Sequence, residues 1–121
     1  MTRTNFQIKT DFLFEYQNIT MIAGNTVAFN VEIFDDEGNP VAVDSADFVC
    51  KKDVNGSETV FHKSLESGIS QDSGMMYVRI APEDTREAEA GRYFYAFQIG
   101  KGGDIFTLMT GVLSIEQNVV Y

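Results

Sequence analysis

Arg92-Tyr93-Phe94-Tyr95-Ala96-Phe97-Gln98-Ile99 is the stretch that decides the fold. Tyr93, Tyr95, Phe97 and Ile99 fall at every second position, with Arg92, Phe94, Ala96 and Gln98 between them. Successive side chains of a strand point to opposite faces, so the first set makes a buried face. The same period recurs upstream. Val27, Phe29, Val31 and Ile33 alternate through 26–34, Ala46, Phe48 and Cys50 through 46–52, and Met76, Val78 and Ile80 through 75–80. Residues 59–64 read as a return strand, Val41 and Val43 as a short strand, and 105–109 with 111–115 as the partner of 92–99, with a bulge near Thr110-Gly111.

Polar and glycine-bearing stretches separate these runs. Asp35-Asp36-Glu37-Gly38-Asn39-Pro40 is a turn, residues 53–58 carry an Asn-Gly hairpin signal, and Gly100-Lys101-Gly102-Gly103-Asp104 is a hairpin loop. Gly68 to Gly74 reads as a further connection. Pro82 ends a strand, because it has no N–H for the ladder. It also opens the one helix-like piece, near Glu83 to Ala90, with acids in the first turn and Gly91 after the last. Seven or eight short strands at this spacing predict an all-β fold, an immunoglobulin-like β-sandwich with one short helix. A closed barrel has the same period and stays open as the alternative.

Length and charge set the bounds. At 121 residues the chain makes one domain, and a 44% apolar composition supports a core without disulfides or metal. One cysteine and one histidine exclude a disulfide framework and a His-pair metal centre. Nine Lys and Arg against eighteen Asp and Glu give a net charge of −9, which argues against direct nucleic-acid binding and against an anionic membrane surface. No run reaches the roughly 18 apolar residues of a membrane-spanning helix. Residues 1–5 lack the apolar core of a signal peptide.

Residues 1–16 stand apart from the sandwich domain of 17–121. Phe6, Ile8, Phe12, Leu13, Phe14 and Tyr16 crowd a segment whose charged residues are Arg3, Lys9, Asp11 and Glu15. Such an apolar end needs cover. It reads as an N-terminal arm on a neighbouring subunit or as an added edge strand, and these six residues are the candidate interface.

The inventory for catalysis is poor. No Ser or Cys motif accompanies His62, the one imidazole, and Cys50 reads as a small buried hydrophobe. Asp35, Asp36 and Glu37, like Glu83 and Asp84, are adjacent acids without the ligand spacing of a calcium loop, and read as solvated turns. Gly100 to Gly103 lacks the Lys-Ser/Thr ending of a phosphate loop. Asn18-Ile19-Thr20 and Asn55-Gly56-Ser57 match glycosylation sequons, and Arg79, Arg86 and Arg92 are dispersed. The expectation is a protein that is no enzyme and has no cofactor, metal or catalytic residue.

Two resemblances extend this reading. Gly91-Arg92-Tyr93-Phe94-Tyr95 resembles the entry to strand F of immunoglobulin-like sandwiches, with Tyr93 as the tyrosine of a tyrosine corner. Tyr95 stands where the antibody pattern has its second cysteine, and the chain has no tryptophan. More broadly, six segments in order resemble the small β-sandwich virion modules of tailed phages, of the N-terminal domain type of siphophage baseplate upper proteins. They are Ala23-Gly24-Asn25-Thr26, 36–41, 74–80, 82–85, 90–97 and 110–115, which spread the resemblance over about residues 18–118. It implies a non-enzymatic structural protein of the virion, produced in the host cytoplasm. Such a protein works as an oligomer or docked subunit against other virion structural proteins, in the head, connector, tail or baseplate. The alternative is a carbohydrate- or surface-binding module with Tyr16, Tyr77 and Tyr121 as contact residues.

Overall fold

In a computed structural model of the chain, residues 7–10, 15–16, 18–35, 37–56 and 58–119 are described. Ten strands and one helical turn follow in order: β1 (Gln7–Thr10), β2 (Glu15–Tyr16), β3 (Ile19–Ile22), β4 (Val27–Phe34), β5 (Ser45–Lys51), β6 (Thr59–Leu65), β7 (Gly68–Asp72), β8 (Met75–Ile80), α1 (Pro82–Thr85), β9 (Gly91–Lys101) and β10 (Asp104–Glu116). The hydrogen-bonded path runs β1-β4-β8-β7-β6-β5-β9-β10-β2, with β3 also on β10. It folds so that Phe29 of β4 faces Phe48 of β5 and Phe97 of β9, with ring centroids 5.7 and 6.5 Å apart. One layer is therefore β1-β4-β8-β7, and the other is β6-β5-β9-β10 with β2 and β3 on its edge.

The layers meet at two corners. Between β6 and β7 the chain turns over Glu66 and Ser67, and the strand ends touch in a short parallel ladder, Ser64 with Gly68 and Leu65 with Ile69. At the other corner β1 lies antiparallel on β4, whereas β2 and β3 lie parallel on β10. A first strand that changes layers is one way to close a sandwich. The result is an all-β fold with one short helix, related to immunoglobulin-like sandwich and barrel folds.

The alternating residues supply the core. Val31, Ile33, Phe48, Cys50, Met76, Ile80 and Phe97 are fully buried, and Val27 is partly so. Antibody domains stack a tryptophan on a disulfide at this point; here Phe48 stacks on Tyr95 at 5.2 Å and on Phe61 at 5.9 Å. The Tyr93 hydroxyl donates to the Glu89 carbonyl at 2.6 Å, closing the tyrosine corner. Tyr93→Phe is expected to cost about 0.5–1.5 kcal/mol with the ring still packed. It should lower the urea midpoint and leave the slope unchanged.

Several expectations need correction. Residues 68–72 are a strand, not a connection. Ile69 is buried, and Gln71 on the same face looks polar for a core position. Its amide, however, donates to the Val43 carbonyl and accepts from the Val43 N–H, both at 2.9 Å. Gln71 thereby replaces a strand neighbour for Val43, and Val41 and Val43 are buried without forming the expected strand. The bulge falls at Leu108, between Thr107 and Met109, rather than at Thr110-Gly111. The helix is Pro82–Thr85, shorter than the expected 83–90.

That helical turn is pinned from three sides. Asp84 accepts from the Ala81 N–H at 2.6 Å and pairs with Lys63 of β6 at 2.5 Å, while the buried Thr85 hydroxyl accepts from the Gly24 N–H at 3.0 Å. Lys63 reaches Asp84 by passing over Gly68, where a Cβ would lie 2.5 Å from the lysine Cδ. Gly68 also holds φ at +102°, which L side chains rarely adopt.

Candidate functional site

The outer face of the β5-β9-β10 layer carries a groove of about 570 Å³. The register builds it row by row. Val112, Phe94 and Lys51 share one row, and Thr110, Ala96, Val49 and His62 share the next. Phe94 and Val49 are half-buried outward-facing residues, and Val54, 66% exposed, adds an apolar group from the β5–β6 loop. Polar groups surround this strip: Asp47, Lys51 and Gln98 line the same groove. Asp47 meets His62 at 2.7 Å, and Gln98 donates to Thr107 at 3.2 Å. Sequence reading put Phe94 and Ala96 opposite the core set but did not single them out. An aromatic among the outward residues of an otherwise regular strand was the available signal.

The expected chemistry is dispersed. Cys50 pairs in register with Phe61 on the inner face, and Val49 pairs with His62 on the outer face. Strand alternation therefore sends the thiol and the imidazole to opposite sides of the sheet. Burial pushes the Cys50 thiol up to about 12, so no thiolate forms at neutral pH. Asp35 accepts the Glu37 and Asn39 N–H groups, each at 2.9 Å. The Asn39 hydrogen bond leads in holding its carboxyl below the ordinary range, against the weaker opposing effect of desolvation. That carboxylate closes a turn, and among the described residues no three potential ligands gather as a metal centre. Asp36 lies outside the described residues, and Asp84, paired with Lys63, is no partner for a second carboxylate.

Of the six residues expected at an interface, Phe6, Phe12, Leu13 and Phe14 lie outside the described residues. Ile8 sits opposite Ile33 in the β1 ladder, and Tyr16 sits opposite Thr110. The register thus places Tyr16 at the end of the row that runs through Thr110, Ala96 and Val49. Among the candidate contact tyrosines, Tyr77 is on the outer face of β8 and 45% exposed, and Tyr121 is not described. Asn18, the first sequon asparagine, accepts from the Val112 N–H at 3.3 Å. No helix among the described residues is long and apolar enough to cross a membrane.

No protein-family model matches the chain. No curated protein matches it in sequence. Solved structures align with it in three dimensions. A family 123 glycoside hydrolase from Clostridium perfringens aligns at 11% identity and a TM-score of 0.51, over 98% of this chain and 28% of that one. CopC from Methylosinus trichosporium OB3b aligns at 11% identity and 0.47, over 84% and 85% of the two chains. Murine CRIg aligns at 9% identity and 0.47, over 94% and 98%. Identities this low speak to the fold alone.

Proposed function

We propose that the chain is a non-enzymatic β-sandwich binding module that docks on a protein partner through the outer face of β5, β9 and β10. One observation carries the reading: Phe94, Ala96 and Val49 on paired strands form an apolar strip with Val54 from the β5–β6 loop, and Asp47, Lys51 and Gln98 stand at its rim. An apolar centre holding an aromatic, inside a polar rim, is the anatomy of a protein interface. The dispersal of Cys50, His62 and the acids supports a role without catalysis.

The finer part of the proposal is that the partner is a structural protein of a tailed-phage virion, the chain being a subunit of that particle. The ordered segments that resemble phage virion modules support it. The candidate interface takes in Tyr16, which stands in the same cross-strand row as Ala96 and Val49. The net charge of −9 favours a partner with basic groups at its rim, or an interface that is mainly apolar.

Light scattering and sedimentation of the full chain, alone and with the purified virion proteins of its source, test this. Phe94→Glu is expected to weaken association on the order of 30-fold, the effect of losing a central aromatic anchor. Its thermal midpoint should stay near that of the parent. Association that is unchanged in Phe94→Glu would remove this face from the interface, and no association with any virion protein would remove the particle role.

A further inference from the structure

The opposite face of the sandwich carries a second groove, open and about 610 Å³ in volume, across β4, β8 and β7. We propose that it binds a neutral oligosaccharide, with Tyr77 as the platform for a sugar ring. This deepens the reading of the chain as a binding module and rests on it, but it uses a surface separate from the Phe94 strip.

The register places Asn30, Tyr77 and Ser70 in one row across three hydrogen-bonded strands, with Ala28 and Arg79 in the next. The short side chains of Ala28 and Ser70, with Gly68, leave the groove floor low around a tyrosine that is 45% exposed. Glu66 joins the lining from the corner turn. Among the described residues, no hydrogen bond or ion pair joins the side chains of Asn30, Glu66, Ser70, Tyr77 and Arg79 to one another or to a neighbour. The other layer differs: there His62 holds Asp47 and Gln98 holds Thr107 across neighbouring strands. The Tyr77 groove therefore holds an amide, a hydroxyl, a phenol, a guanidinium and a carboxylate that the other described residues leave unbonded.

Those groups match a sugar. A pyranose ring offers an apolar C–H face, which an aromatic ring covers, and an edge of hydroxyls that both donate and accept. Asn30 and Ser70 supply both roles beside the ring, Arg79 donates through a planar fork, and Glu66 accepts. The strands fix Asn30, Ser70 and Tyr77 relative to one another, so little order is lost on binding. The volume lies within the range of small-ligand sites, about 300–1,000 Å³. The carboxylate of Glu66 and the net charge of −9 disfavour a polyanionic glycan, which leaves a neutral one. A protein partner favours the more apolar centre, which is the Phe94 strip.

The test applies the labelled full chain to an array of neutral hexose, deoxyhexose and N-acetylhexosamine oligosaccharides. The saccharide retained there is then titrated into the isotopically labelled protein. Retention is expected, with amide shifts centred on Asn30, Ser70, Tyr77 and Arg79. Tyr77→Ala and Arg79→Gln should each weaken binding about tenfold or more, with thermal midpoints near the parent's. Phe94→Glu should bind the saccharide as the parent does, so loss of protein docking and loss of glycan binding are read separately. Failure of every array saccharide to bind overturns the proposal. So does binding that survives both Tyr77→Ala and Arg79→Gln, or shifts confined to the Phe94 face.

Discussion

Phe48→Ala is expected to remove about 3–5 kcal/mol of stability, the usual cost of truncating a fully buried aromatic. Phe48 has no solvent exposure and sits among four rings: Phe29, Phe61, Tyr95 and Phe97 at 5.7, 5.9, 5.2 and 6.1 Å. These come from β4, β6 and β9, so a cavity here loosens both layers together. A domain of this kind has only about 5–15 kcal/mol in total. The urea midpoint should fall steeply at constant slope, and the variant should sit close to unfolding at 37 °C. Phe97→Ala, equally buried, should fall in the same range. Val54→Ala, at a position 66% exposed, should stay within about 0.5 kcal/mol. A loss below about 1 kcal/mol for Phe48→Ala would mean that the ring cluster is not the centre of the core.

Alkali is expected to weaken the fold by a comparable amount through one thiol. Burial raises the Cys50 thiol from 9.0 to about 12. The unfolded chain then loses this proton at a lower pH than the folded one, so stability is fully present below pH 9 and falls as pH rises towards 12. A tenfold difference in proton affinity corresponds to about 1.4 kcal/mol, which makes the whole loss about 4 kcal/mol. Tyr93 acts in the same direction above its ordinary value of 10.0, because burial raises its phenol too. Urea titrations at pH 8, 9 and 10 should show the decline, and Cys50→Ala should have a shallower one. A thiol reagent should leave the folded protein unmodified at pH 8 and react once urea unfolds it. Equal pH slopes for the parent and Cys50→Ala would show that Cys50 ionises as freely folded as unfolded.

Period two made most of this fold legible, because the long runs with large apolar residues at alternate positions became strands with that face inward. Tyr93 was legible further still, down to its hydroxyl, since a tyrosine two positions into such a strand reaches back to the preceding loop. The misses share a cause: partners distant in sequence that local pattern does not carry. Gln71 is a polar residue on an inner face, satisfied there by its bonds to Val43, 28 residues away, and 68–72 are a strand through their ladders with β6 and β8. The same bonds satisfy the backbone of Val43, while the Val41 N–H donates to the Ile33 carbonyl, so both are buried without forming a strand. The bulge at Leu108 depends on pairing with β9, and a glycine at 111 was a misleading local sign. Both grooves were hidden for a related reason. Alternation assigns the outward set of each strand separately, whereas Phe94 beside Val49, or Asn30 beside Tyr77 and Ser70, depends on inter-strand register.

The parallel ladder between β3 and β10 has a mechanical consequence. Asn18 and Val112 are 94 residues apart in the chain but are joined by a hydrogen bond, and Ile19 to Ile22 run alongside Leu113 to Glu116 in the same direction. Tension that draws residue 18 back and residue 119 forward pulls along these two strands in opposite senses. The ladder's hydrogen bonds then carry the load together, in shear, instead of parting one at a time like a zip. Antiparallel hairpins such as β9–β10 would peel from their ends under the same pull, but they lie behind this clamp and bear no load until it slips. Resistance to stretching is therefore concentrated in four residues of β3, and a proline at the exposed Thr20 is expected to lower the rupture force by removing a ladder donor.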